Sequence, residues 1–262
     1  MAEDILNKIV EDKRREIALA KRDLPERALR EKCLKPRKNR PFLKNLENPG
    51  PSGINIIAEI KRASPSKGII CADLDPAAFA TDYELGGAAA LSVLTDQPHF
   101  KGSPEDLKIA RKTTNLPVLR KDFLISAYQI FESVVMQADA ILLIVRILEQ
   151  QQLKDYLSLC HELEMDALVE IHSEYDIEKA TRAGARLIGI NNRNLRSFET
   201  DLDTAVRMRS LLGPDQVAVA ASGIQTREDI DKIKGSGIWN FLIGESLIRS
   251  QNPKDFLKYL LG

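Results

Sequence analysis

Several things are scarce in this chain of 262 residues. Charge of one sign is never in excess, because lysine plus arginine number 38 and aspartate plus glutamate also number 38. A balanced surface has no long-range field to draw in nucleic acid or an acidic membrane, so any anion site must be local. The three cysteines, Cys33, Cys71 and Cys160, lie far apart. That spacing offers neither a disulfide framework nor a zinc site and fits a reducing compartment. His99, His161 and His172 do not gather either, so no metal site is expected. No apolar run approaches the roughly 20 residues that span a bilayer. The first 21 residues mix both signs of charge without the apolar core of a secretory signal, and their acidic residues speak against a transit peptide. The expectation is a cytoplasmic protein with no nucleic-acid or membrane partner.

What is plentiful is apolar sequence, 44% of the chain, arranged in a repeating order. Short β-rich runs at 54–60, 88–94, 117–120, 140–145, 167–171, 187–190, 217–221 and 240–243 alternate with stretches of helical period such as 104–114, 149–164 and 226–234. Each run is almost wholly apolar, as strands buried on both faces of a parallel sheet must be. Leu153, Leu157 and Cys160 share one stripe, with Gln150, Lys154 and Glu164 largely off it. Eight such rounds predict a (β/α)₈ TIM barrel over 51–262. The alternative, an open doubly wound sheet, lacks its Gly-x-Gly-x-x-Gly after the first strand. Ahead of the barrel, 1–50 reads as a helical extension with Ile5, Ile9 and Ile17 as apolar positions, a second helix near 25–33, and a linker from about Pro36. With so little apolar content it is expected to dock on the barrel as a cap, in a single structural domain overall.

Barrels place their chemistry at the carboxyl ends of the strands. There, polar residues interrupt the apolar register: Glu59 and Lys61 on one side of strand one, Arg120-Lys121-Asp122 after strand three, Glu170 in strand five, and Asn191-Asn192-Arg193 after strand six. Two lysines and two carboxylates converging on a low-dielectric mouth shift one another's pKa values, as acid and base chemistry requires. Ser222-Gly223-Ile224 and Ile243-Gly244-Glu245-Ser246 put glycines in the two loops from which barrels often build a phosphate site. His172, just past strand five, is expected to be structural or solvent-facing, and Trp239 to serve packing.

The run Ile57-Ala58-Glu59-Ile60-Lys61-Arg62-Ala63-Ser64-Pro65-Ser66-Lys67-Gly68 resembles the strand-one motif of the indole-3-glycerol phosphate synthase family. Leu94-Thr95-Asp96, Phe100-Lys101-Gly102-Ser103, Leu119-Arg120-Lys121-Asp122-Phe123, Gly189-Ile190-Asn191-Asn192-Arg193 and Gly244-Glu245-Ser246-Leu247 match in the family's order. The resemblance implies ring closure of a carboxyphenylamino-deoxyribulose phosphate to indole-3-glycerol phosphate, with loss of carbon dioxide and water, in tryptophan synthesis. It implies no cofactor and a monomer whose partner is a phosphorylated small molecule. It makes Lys121 the general acid of ring closure, gives Glu59 and Glu170 the proton transfers around dehydration, has Lys61 orient the substrate and donate a proton, and has Asn191 hydrogen-bond it. Ser64, Ser222, Gly223 and Gly244 fall at the phosphate end, with Arg193 and Glu245 as further substrate-binding residues. Phe100, Phe123, Leu142 and Leu195 become walls around the aromatic ring.

Four positions depart from the family's usual pattern. Ala221 stands where glutamate precedes Ser-Gly, Asn194 and Ser126 where aspartate is usual, and Gln137 where glycine is usual. With one carboxylate fewer, the remaining positive charge is expected to depress the lysine pKa values. Two alternatives stay open at this point. One, motivated by Ala221, is a ligand-binding barrel with reduced or lost turnover. The other is a different barrel enzyme, such as a phosphoribosylanthranilate isomerase.

Overall fold

The structure, a computed structural model, describes residues 5–194 and 197–262. Two helices come first, α1 (Ile5–Asp23) and α2 (Glu26–Cys33). After the linker, β1 (Asn55–Ile60) leads into a hairpin of two short strands, β2 (Ala63–Ser64) and β3 (Gly68–Ile69). Then follow α3 (Pro76–Gly86), β4 (Ala90–Leu94), α4 (Gln97–Phe100), α5 (Pro104–Thr113), β5 (Val118–Lys121) and α6 (Ala127–Val135). The second half continues with β6 (Ala140–Ile144), α7 (Gln150–Glu162), β7 (Asp166–Ile171), α8 (Glu174–Ala183), β8 (Leu187–Asn191) and α9 (Asp203–Arg209). It ends with β9 (Val217–Ala221), α10 (Arg227–Lys234), β10 (Asn240–Ile243), α11 (Glu245–Arg249) and α12 (Pro253–Leu261). Strands β1 and β4 to β10 pair in parallel and close on themselves, so the fold is the (β/α)₈ barrel that the alternation predicts.

Helix starts follow ordinary capping chemistry. Ser103, Ser126, Ser173, Thr226 and Asn252 each accept an amide N–H of the first helical turn, and proline opens α3, α5 and α12. Ser126 thereby does the work for which the family's aspartate is suited. Gln137 adopts the left-handed φ of 63° that glycine tolerates best.

Period-two alternation divides each strand between two cores. Ile56, Ala58 and Ile60 face the helices, whereas Ile57 joins Leu119, Ala140, Leu142, Ile144, Leu168, Leu187, Val219 and Leu242 inside the barrel. One step further along the inward rows, at the carboxyl ends, stand Glu59 above Ile57, Lys121 above Leu119, Glu170 above Leu168, and Ala221 above Val219. The polar layer at the mouth is thus the top layer of the barrel's own packing.

The extension touches the barrel at three levels. Ile5, Leu6 and Ile9 of α1 reach the mouth. Leu29 of α2 packs against Tyr128 and Phe131 of α6, whose Tyr128 hydroxyl donates to the carbonyls of Ala20 and Leu24. The linker then passes beneath the barrel, where the Arg37 guanidinium donates to the carbonyls of Ala138, Leu163 and Glu164. Asp139 accepts the Arg40 amide and Asp166 the Leu43 amide. Between these anchors Phe42 and Leu46, both fully buried, plug the lower end of the inner core.

The plug yields a test. Phe42→Ala removes a ring from a closed space that cannot collapse around the gap, so it should cost about 3–5 kcal/mol of stability. Chemical denaturation measures this, and a loss under about 1 kcal/mol would show that the linker adds little to the inner core.

Candidate active site

The inward ends of the strands open into a cavity of about 480 Å³ at the barrel mouth. Glu59, Lys61, Ser64, Phe100, Lys121, Phe123, Leu142, Glu170, Asn191, Arg193, Ser222, Gly223, Gly244 and Glu245 all line it. Leu195 lies outside the described residues.

At the centre is the carboxylate of Glu59, almost fully buried. One oxygen accepts from Lys61 Nζ at 2.6 Å, and the other lies 3.7 Å from Lys121 Nζ. Burial works against ionised Glu59, but the two ammonium groups outweigh it and hold the carboxyl below the ordinary glutamate value. Lys121 shows the reciprocal effect. Burial opposes its charge, yet Glu59 and then Glu170 overcome burial and raise its pKa above that of an ordinary lysine. The expected depression of the lysine pKa by surplus positive charge is therefore not found at Lys121, because Glu59 and Glu170 already face it without a carboxylate at 221. The alternative of lost turnover, motivated by the missing carboxylate at 221, finds no support in this charge balance.

Glu59 also fixes its neighbours. A Cβ on Gly244 would stand 2.6 Å from Glu59 Oε1, so only glycine fits where β10 crosses this carboxylate. Below, the Tyr83 hydroxyl donates to the Glu59 carbonyl and pins the strand end from the helix layer.

The opposite wall carries Glu170, whose Oε1 accepts from Asn191 Nδ2 at 3.2 Å. Asn191 Oδ1 in turn accepts the Arg193 amide, which fixes the orientation of its side chain. Arg193 reaches across the mouth to Ser66 Oγ, joining the loop after β8 to the loop after β1. His172 is not solvent-facing, because its ring is buried with Nε2 3.3 Å from Glu170 Oε1. Burial keeps the imidazole pKa below its ordinary value, against the pull of Glu170. Its spacing of two from Glu170 along the strand was the signal that it shares the inward side.

The apolar part of the cavity is a slot in which the Phe100 and Phe123 rings lie 5.9 Å apart, with Leu94, Leu142 and Ile144 behind them. Ile5, Leu6 and Ile9 of α1 complete it; Ile5 and Ile9 are two of the apolar positions expected on that helix, and Leu6 beside them was not singled out.

At the other end Ser222 and Gly223 both take left-handed φ values, 70° and 81°, and turn the chain sharply after β9. Ser246 Oγ donates to the Ile224 carbonyl and ties this loop to the first turn of α11. Amide N–H groups at the start of a helix lack intrahelical partners and attract anions. Glu245 lines this end, but its carboxylate accepts from Arg249 one turn on. Arg249 and Lys67 also line the cavity and are cations that sequence reading did not assign to the site, although the i,i+4 pair of Glu245 and Arg249 was visible in the chain.

Among the described residues no group of three or more His, Cys, Asp or Glu could hold a metal ion, and no helix is long and apolar enough to cross a membrane.

Comparison with known proteins gives two results. A solved structure titled thiamine phosphate pyrophosphorylase, from Pyrococcus furiosus, superposes with a TM-score of 0.59 at 12% identity. That alignment covers 80% of this chain and 94% of that one, and shows the barrel fold alone. Relatives named indole-3-glycerol phosphate synthase are far nearer. The protein from Desulfosudis oleivorans is 57% identical, covering 98% of each chain, and that from Syntrophobacter fumaroxidans is 49% identical, covering 99% of this chain and 98% of its own. The profile of the same name matches residues 6–260. With that match running from the first helix through the last, the chain belongs to the indole-3-glycerol phosphate synthase family.

Proposed function

We propose that this protein closes the indole ring of 1-(2-carboxyphenylamino)-1-deoxyribulose 5-phosphate, giving indole-3-glycerol phosphate, carbon dioxide and water. The observation that carries the reading is the buried Glu59 carboxylate held between Lys61 and Lys121, with an apolar slot on one side and the glycine loops on the other. An aromatic ring, a reacting carbonyl and a phosphate need those three environments in that order.

In this reading the aryl ring packs against the Phe100–Phe123 pair, and the phosphate takes the amides around Gly223, Gly244 and Ser246. The ring carbon bearing the carboxylate attacks the ketone carbon, and Lys121 gives its proton to the ketone oxygen as the new carbon–carbon bond forms. Breaking the bond to the carboxylate releases carbon dioxide and returns an electron pair to the ring. Dehydration then breaks the carbon–oxygen bond. The hydroxyl leaves with a proton from Lys61 or Lys121, and Glu170 or Glu59 accepts the proton given up by the substrate. Asn191, fixed by its bonds to Glu170 and the Arg193 amide, holds a substrate hydroxyl.

The same reading includes a monomeric, cytoplasmic enzyme. Exposed large apolar side chains such as Leu34, Ile69 and Tyr175 stand on different elements, as solitary surface residues commonly do.

Three measurements test the proposal. Lys121→Ala should lower kcat by about 10²- to 10⁴-fold, the usual worth of a positioned acid, while leaving phosphate affinity nearly unchanged. Retention of half the native kcat would remove Lys121 from the chemistry. Inorganic phosphate at about tens of millimolar should inhibit competitively, because the anion site lies within the substrate's own cavity. Inhibition that is absent, or not competitive, would count against the loops around Ser222 and Gly244. Finally, Glu59→Gln removes the larger of the two influences that keep Lys121 charged, so the Lys121 pKa should fall. A lysine with a lowered pKa loses its proton sooner as pH rises, which side-chain nitrogen NMR reads directly. An unshifted titration would show that Glu59 does not sustain the charge.

A further inference from the structure

A buried lysine outside the mouth carries an arrangement that the ring-closure chemistry does not use. Lys13, on the inner face of α1, is 2% exposed. Its ammonium lies 2.9 Å from Asp96 Oδ2 and 3.0 Å from Asp122 Oδ1, two buried carboxylates at the ends of the adjacent strands β4 and β5. Half-exposed Glu16 takes a third contact at 2.8 Å. Burial weighs against the charge on Lys13, but Asp122 and Asp96 overcome it and raise its pKa above that of an ordinary lysine. Asp122 is likewise held down to about 2, with Arg120 and Lys13 outweighing burial.

Each of these carboxylates also holds one aromatic wall of the slot by its backbone. Asp96 Oδ1 accepts the amides of His99 and Phe100 and caps the short helix α4 that ends at Phe100. Asp122 Oδ1 accepts the amide of Phe123, while its other oxygen takes the Thr95 hydroxyl and Arg120. One ammonium from the extension therefore joins the two segments whose rings pack on each other at a tilt, with centroids 5.9 Å apart.

We propose that Lys13 is a positioning residue that holds Phe100 and Phe123 packed together as one wall of the slot, and so governs how well that wall fits an aromatic ring. The proposal rests on the reading of that slot as the ring site. Without the ammonium, two buried like charges face each other with only Arg120 to offset them, and repulsion draws Asp96 and Asp122 apart. The backbones of Phe100 and Phe123 move with them. The phosphate end, across the cavity on β9 and β10, does not.

Indole and inorganic phosphate, as competitive inhibitors, probe the two ends separately. In Lys13→Met the inhibition constant of indole should rise about ten-fold or more and KM should rise with it, whereas phosphate inhibition should change by less than about two-fold. A second variant isolates the cause. Adding Asp96→Asn to Lys13→Met removes the repulsion yet keeps a side chain that caps α4, so indole affinity should return to within about three-fold of the native value. Unchanged indole inhibition in a folded Lys13→Met overturns the proposal. A double variant that folds but stays weak for indole does so too, because it leaves only lost packing as the cause. Should Lys13→Met fail to fold, Lys13→Gln takes its place in both the single and the double variant, with the same outcomes deciding the matter. If indole does not compete in the native chain, the reading of the slot falls and the proposal falls with it.

Discussion

A carboxylate shut inside an apolar barrel needs opposite charge close by, and Glu59 receives it from two directions. Lys61 comes from its own strand end, two residues on, and Lys121 from the far side of β4. Much of the mouth follows from this one requirement. The neighbouring strand β10 must be followed by a bare Gly244, since a side chain there would occupy the space of the carboxylate oxygen. Lys121 must stay charged in a place where burial would discharge it, and does so only because Glu59 and Glu170 both face it. In water such pairs are worth little, but here each partner is largely withdrawn from solvent and removing one strands the other. Stability and chemistry therefore draw on the same contacts.

That dependence bears on Ala221, which sits in the inward row above Val219, beside Asn191 of the neighbouring strand. Lys61 and Lys121 already have Glu59 beside them, so the small residue goes with a Lys121 pKa that is still raised, and it gives space to the cavity.

The barrel was legible in the sequence because strands buried on both faces leave a continuous apolar run, and eight of them in regular alternation with helical stretches suit few other folds. Strand ends moved by a residue or two, as where Val145 leaves β6 for a 3₁₀ turn. The hairpin of β2 and β3 and the helices α4 and α11 escaped notice because elements of two to five residues have no periodicity to read. Site residues were legible where one strand's alternation fixed their side, as at Glu59 and Lys61, and were gathered by barrel closure, which brings together strands far apart in the chain. Lys13 could not be singled out, since it is one charge among many on α1 and only the docked helix reveals that it faces inward. Glu245 does line the cavity, and the pairing of its carboxylate with Arg249 is a local contact that the loop's glycine had overshadowed.

The linker beneath the barrel has a consequence in time. A chain is made from its amino end, yet every anchor of this strap is synthesised long afterwards. Arg37 waits 101 residues for Ala138, Leu43 waits 123 for Asp166, and the Leu46 carbonyl waits 193 for the indole N–H of Trp239. Until then Phe42 and Leu46 have no inner core to enter, so the plug must remain unburied while most of the barrel is still emerging. The strand that follows Trp239 is also the one that closes the ring of strands against β1. Floor and wall are thus completed within a few residues of each other, and during biogenesis the site forms not gradually from the first helix onward but late, nearly all at once.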